Sequence, residues 1–127
     1  MRTDNPTINP ASYITGDKQS KTFVITNPTA GKTYAVWRSQ VATTITAIHA
    51  VQVGGTNLVG MLTECDADGL NPVAVNSSDM TVLATNVDVT SLSNPTVDVG
   101  DYVGWSTTSI SGPVTKLIVT FDYKVGV

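Results

Sequence analysis

Glu64-Cys65-Asp66-Ala67-Asp68-Gly69 is the densest run of acid in the chain. Carboxylates so closely spaced could ligate a hard cation, work as an acid–base pair, or close a turn. A calcium loop of the helix–loop–helix kind can be tested by register. With Glu64 at position 1, Asp66 falls at 3, Asp68 at 5 and Gly69 at the sharp-turn position 6. Position 12, which needs a bidentate Glu, then falls on Val75, and flanking helices are missing. Starting instead at Asp66 puts Leu70 at position 5. Glu64, Asp66, Asp68 and Asn71 are therefore only weak calcium candidates. The favoured reading is a metal-free turn, because Asp bonds locally to its own backbone and Gly takes positive φ. Glycoside chemistry needs two acids facing across a cleft, about 5–9.5 Å apart. The acids are mostly in turns, Asp79, Asp88, Asp98 and Asp101 among them, with no aromatic groove beside them.

His49 is the only histidine. A Ser-His-Asp arrangement would have to use it, yet nothing resembles Gly-x-Ser-x-Gly. Its expected role is a hydrogen-bonded core or interface residue. "VGG" at 53–55 lacks the Lys-Ser/Thr and helix of a phosphate loop. Trp37, Trp105 and Tyr13 could stack on sugars or anchor a subunit interface. With His49 they are the interface candidates. No catalytic set and no cofactor site is identified, and a non-enzymatic protein is expected.

The elements that position these residues are read from period-two patterning. In "VTKLIVTFDY", Leu117, Val119, Phe121 and Tyr123 share one face, with Lys116, Thr120 and Asp122 on the other. "TTITAIHAVQV" at 43–53 puts Ile45, Ala47, His49, Val51 and Val53 on one face by the same rule. "GGTN" at 54–57 predicts a hairpin into a return strand at 57–65, since paired glycines supply positive φ. Further strands are expected in "KTFVIT" at 21–26, "TYAVWRS" at 33–39 and "YVGWSTT" from Tyr102, with short ones at 73–75, 80–84 and 86–91. Residues 93–101 read as a loop. No helical period is sustained. About eight strands separated by turns predict an all-β, antiparallel β-sandwich, jelly-roll-like. Residues 1–20 hold Pro6 and Pro10 and read as an extended arm before a single domain at 21–127.

Charged residues make up 13% of the 127-residue chain, about half the usual share. Few fixed charges on so much Thr, Val, Asn and Ser implies surface covered by a partner. The net charge of −3 and the lack of any basic run argue against nucleic acid. No apolar run reaches the roughly 18–20 residues of a membrane span. Nor does the N-terminus read as a secretory signal, so synthesis in a host cytoplasm is expected. One cysteine excludes an internal disulfide, and Cys65 reads as a small core residue.

The segments "ITNPTA", "ITAIHAVQVGGTN", "ECDADG" and "VDVGDYVGW" resemble those of small uncharacterised β-proteins from phage and environmental sequences, over residues 21–123. More loosely, the chain is similar to phage head-decoration and fibre domains. The resemblance implies a virion structural protein, a capsid decoration or appendage subunit. Such a subunit acts by self-association, with a trimer expected, and by attachment to a capsid or tail lattice. The competing class is a carbohydrate-binding module or adhesin with a glycan partner.

Overall fold

Strands that alternate apolar and polar side chains must bury one face each, and here they do so as two sheets packed face to face. The structure, a computed structural model, describes residues 18–126. Its strands are β1 (Lys18–Thr26), β2 (Thr33–Arg38), β3 (Thr43–Val53), β4 (Asn57–Cys65) and β5 (Val73–Ala74). They continue with β6 (Met80–Val82), β7 (Val87–Val89), β8 (Thr96–Val97), β9 (Tyr102–Ser111) and β10 (Lys116–Val125). Among the described residues there is no helix. Accordingly none is long and apolar enough to cross a membrane.

The first sheet runs β1-β10-β3-β7, with β8 also on β3. The second runs β2-β9-β4-β5, with β6 also on β4. Every pairing is antiparallel. The pairs nest: first strand with last, second with next to last, β3 with β7 and β8, β4 with β5 and β6. This is one long hairpin rolled over itself, the jelly-roll arrangement. Ten strands occupy eight positions, because two short positions are each broken into two pieces. β8 lies inside the segment expected to be loop.

The first three residues of β1 belong to the expected arm. Lys18, Gln19 and Ser20 pair with Lys124, Tyr123 and Asp122. They lack apolar alternation, so only the ladder to β10 reveals them as strand. Residues 1–17, with Tyr13, lie outside the described residues.

The "GGTN" segment does not make a hairpin. β3 and β4 belong to different sheets, and the Gly54-Gly55 corner carries the chain across between them. Gln52, buried, braces the corner. Its Nε2 donates to Gly55 O at 2.8 Å, and its Oε1 accepts from Gly55 N at 2.9 Å. Gly54 sits at φ 94°. A side chain on Gly55 would collide with Val114 and the Ser111 backbone. Paired glycines mark a sharp turn, but they do not state which strand the chain joins afterwards.

The inward face of β3 also differs from strict alternation. Tyr123 pairs with Ile45 and Asp122 with Ala47, so Thr46 is an extra residue, a β-bulge. Before it, Thr43 and Ile45 are buried; after it, Ile48, Ala50 and Gln52 are. Ala47, His49, Val51 and Val53 thus share the outer face, while Ile45 points into the core. One inserted residue inverts every following side chain. Thr46 Oγ1 ends buried without a partner among the described residues.

The core is built of Ile45, Ile48, Leu58, Leu62, Val75, Val82, Val103, Leu117, Val119 and Phe121 around Trp105. β10 follows the predicted alternation, burying Leu117, Val119, Phe121 and Tyr123. Trp105 is fully buried, and its Nε1 donates to Thr107 Oγ1 at 3.0 Å. Its indole lies over Gly60: a Cβ there would stand 2.7 Å from the ring and 2.5 Å from the Ser106 carbonyl. Gly60→Ala should therefore force backbone movement and lower stability by about 1–3 kcal/mol. Urea unfolding is expected to show a lower midpoint with an unchanged slope.

Candidate functional site

The acidic run divides at the end of β4. Glu64 has the parity of Leu58 and Leu62 and pairs in register with Val103, so it faces inward at one end of the sandwich. Asp66 lies beyond the strand, in the turn. Glu64 is thereby parted from the other three calcium candidates, Asp66, Asp68 and Asn71, which share the turn.

Asp66 organises the turn alone. Its Oδ1 accepts from Asp68 N and Leu70 N, each at 2.9 Å, and its Oδ2 from Asn71 Nδ2 at 2.7 Å. The backbone closes with Asp66 N to Leu70 O at 2.8 Å and Gly69 N to Asp66 O at 2.9 Å. Gly69 and Asn71 both take positive φ, 75° and 54°. The backbone bond from Leu70, then the Asn71 amide, holds the Asp66 carboxyl below its usual range. Both oxygens are engaged by donors of the same loop, and Asn71 directs its NH₂ toward Asp66. Among the described residues, no three His, Cys, Asp or Glu side chains converge as a metal site. Cys65 is fully buried beside Thr63 and Gly104, and burial pushes its thiol up.

Glu64 faces the loop before β9 instead. That loop is tied down by Gly100 N to Ser39 O at 2.8 Å and Ser39 N to Asp101 O at 2.9 Å. Burial, first, and then a hydrogen bond and the charge of Asp101 push the Glu64 carboxyl up to about 7; Asn94 opposes this with a hydrogen bond, and Asp98 adds further repulsion. The sequence places Asp98 and Asp101 in a loop, but only the rolled topology brings that loop over the end of β4.

His49 stands on the outer face of the first sheet. Its Nδ1 lies 2.6 Å from Asp88 Oδ1 and its Nε2 2.8 Å from Asp122 Oδ2. Ser20 Oγ donates to Asp122 Oδ1 at 2.8 Å, and Asn86 Nδ2 to Asp88 Oδ1 at 2.5 Å. The row Ser20–Asp122–His49–Asp88 crosses β1, β10, β3 and β7, tying the whole sheet together. Among the described residues, the two ring nitrogens of His49 are bonded to carboxylates and not to a serine hydroxyl. The bonds from Asp122, then Asp88, raise the pKa of His49. The bulge at Thr46 is what turns His49 toward these acids. The sequence gives no sign of the bulge, and alternation alone leaves His49 on the face of Ile45.

Of the aromatic candidates, the two tryptophans lie among the described residues, and both pack toward the core. Trp105 is core and not surface: inward parity on β9 and the vacancy over Gly60 draw the ring in. Trp37, half-buried on β2, packs on Phe121 and Tyr123 at centroid distances of 5.5 and 5.3 Å, joining the two sheets. A bulge at Val36 makes this reach from an edge strand: Ala35 pairs with Gly104, but Trp37 with Val103.

No family model matches the chain, and no curated protein matches it. Among solved structures it is similar to a chain of Bacillus endospore appendages, described as a family of disulfide-linked pili. The identity is 16%, with 87% of this chain and 88% of that chain covered, at a TM-score of 0.41. It is also similar to a chain from infectious bursal disease virus Gt strain, at 12% identity and a TM-score of 0.25. That overlap covers 88% of this chain and 40% of that one. Neither likeness bears on function.

The acids carry three expected outcomes. Glu64 has its folded pKa raised above the ordinary 4.5, so the stability of its neutral form is complete below pH 4.5 and erodes as pH rises through about 7. Glu64→Gln should flatten the fall of melting temperature across that window. Asp66, lowered in the fold, contributes stability above the ordinary carboxylate pKa and loses it as pH falls through the depressed value. Asp66→Ala should lower the melting temperature at neutral pH, with the difference closing in strong acid. Millimolar calcium should leave the wild-type melting temperature unchanged; a rise of several degrees would mean that the turn binds the ion.

Proposed function

We propose that the protein is a non-enzymatic structural subunit that works by self-association, as a decoration or appendage subunit of a virion. The observation that carries this reading is the state of the sheet edges. β1 ends the first sheet and β2 the second, and among the described residues nothing pairs with their outer edges. β1 runs nine residues in unbroken register with β10, free of bulge and proline, with only Lys18 and Lys21 charged. Monomeric sheet proteins blunt such edges with charge, proline or bulges. Here the edge is long, regular and sparsely charged, and so suited to pairing with another chain.

The neighbouring surface supports the same reading. Val24, Ile118 and Val51 stand in register across β1, β10 and β3 on the outer face. Val24 and Val53 are 53% and 45% exposed. An apolar row beside an open edge gives a neighbouring copy both backbone and side-chain partners. The low overall charge agrees. Closed homo-oligomers are the common outcome of self-pairing surfaces, and a trimer on a capsid or tail lattice is the form proposed, by analogy with decoration domains. A glycan-binding role would need an exposed ring platform. Trp105 is buried and Trp37 leans inward, so neither tryptophan supplies one.

Sedimentation velocity at micromolar concentration should report a species heavier than the 13.3 kDa chain. Val24→Lys places a charge in the middle of the β1 edge and should shift the distribution toward monomer without loss of β-sheet circular dichroism. A chain beginning at Lys18 should fold and assemble less well, as expected of a docking arm. A wild-type protein that stays monomeric across concentrations would remove the self-association reading.

A further inference from the structure

The ring of His49 is held by a carboxylate oxygen at each nitrogen, 2.6 Å from Asp88 and 2.8 Å from Asp122. A carboxylate can only accept. Both nitrogens must therefore donate, and only the doubly protonated imidazolium has two N–H groups. A neutral ring in this place would turn a lone pair toward one of the two acids.

We propose that His49 is a proton-dependent clasp that fastens β7 onto β3 while the ring carries two protons and releases it when the ring gives one up. The asymmetry of the two acids decides which side lets go. Asp122 is 24% exposed, lies in the middle of the sheet and is also held by Ser20. Asp88 is 61% exposed and sits on a strand of only three residues. The neutral ring keeps its Nε2 proton for Asp122 and presents bare Nδ1 to Asp88, whose strand has little else to hold it. β7 pairs with β3 only at Val87, Asp88 and Val89, opposite Ala50, His49 and Ile48. Loosening it opens the edge of β3 at 48–50.

The groups facing the ring are few. β10 contributes Asp122, with Lys124 farther along the same face. β7 contributes Asp88. Lys18 of β1 acts on the Asp122 carboxylate. On β3 itself, Ala47 and Val51 carry no charge. His49 is raised from its ordinary 6.5, so its contribution is complete below pH 6.5 and is lost as pH rises through the higher folded value. Asp88 and Asp122 are both lowered, chiefly by the bond to His49, and their contribution is lost only as pH falls through the depressed values. The clasp is closed between these limits, and it opens on the alkaline side with β7 moving.

The test uses the full chain. Nitrogen-15 spectra of the His49 ring should show both nitrogens protonated at pH 6.5, with a titration midpoint above that value. Amide hydrogen exchange, corrected for intrinsic base catalysis, should show β7 losing about tenfold more protection than the β4–β9 ladder per pH unit above the midpoint. His49→Gln, which cannot carry charge, should leave β7 weakly protected at every pH, with no step. Glu64 belongs to β4 in the other sheet, so the same series in Glu64→Gln should keep the step. A ring already neutral at pH 6.5 overturns the proposal, as does β7 protection that tracks β4–β9 from about pH 6 to 9. If His49→Gln does not fold, the wild-type ring spectrum and exchange series decide.

Discussion

The extra residue at Thr46 sets the geometry of the first sheet. A strand alternates faces strictly, so a single insertion exchanges the faces of everything beyond it. Without the bulge, Ile45 and Ile48 could not both reach the core, and His49 would be buried between the sheets with no acid beside it. With it, Ile48 packs inward opposite Phe121, and His49 turns outward to the level of Asp88 and Asp122. The unpartnered Thr46 hydroxyl is a cost of this arrangement, on the order of 1–3 kcal/mol for a buried polar group. The burial of Ile48 and the salt-bridged row across four strands offset it.

The rolled topology distributes regularity unevenly. β9 and β10 lie inside their sheets: β10 is paired along its length on both sides, β9 along its length with β4 and over Tyr102–Ser106 with β2. The returning strands β5 to β8 are two or three residues long, and side chains complete what their backbones leave open. Asn76 is one such case: its Oδ1 accepts from Leu62 N at 2.9 Å, where the break between β5 and β6 interrupts the ladder. Gln52 acts similarly at the corner between the sheets. On the other side of the sandwich β1, in unbroken register, and β2, bulged at Val36, have outer edges that nothing among the described residues pairs with. One side of the molecule is thus closed by irregular, side-chain-patched segments, and the other offers continuous backbone.

Charge is placed to hold structure. Asp66 spends both oxygens on its own turn. The Glu64 carboxyl is pushed up by burial and by Asp101, beneath the loop over the sandwich end. Asp88 and Asp122 share one imidazolium. In each case the polar atoms face partners within the chain.

Much of this protein was legible as sequence, because it depends on local patterning. The all-β class, the dry face of β10 and the turn at Asp66 follow from period two and from the conformational preferences of Asp and Gly. The start of β1 was not legible, since Lys18-Gln19-Ser20 becomes strand through its ladder to β10, more than a hundred residues away. Neither was the sheet crossing at Gly54-Gly55, because a turn signal fixes a change of direction and not a partner. The destinations of Trp105, Glu64 and His49 were decided only in three dimensions. Trp105 needed the vacancy over Gly60, Glu64 the loop of Asp98 and Asp101, and His49 a bulge whose only cause is the register between β3 and β10. Alternation is a property of one strand, whereas register is a property of two, and a single strand's sequence carries no record of its neighbour.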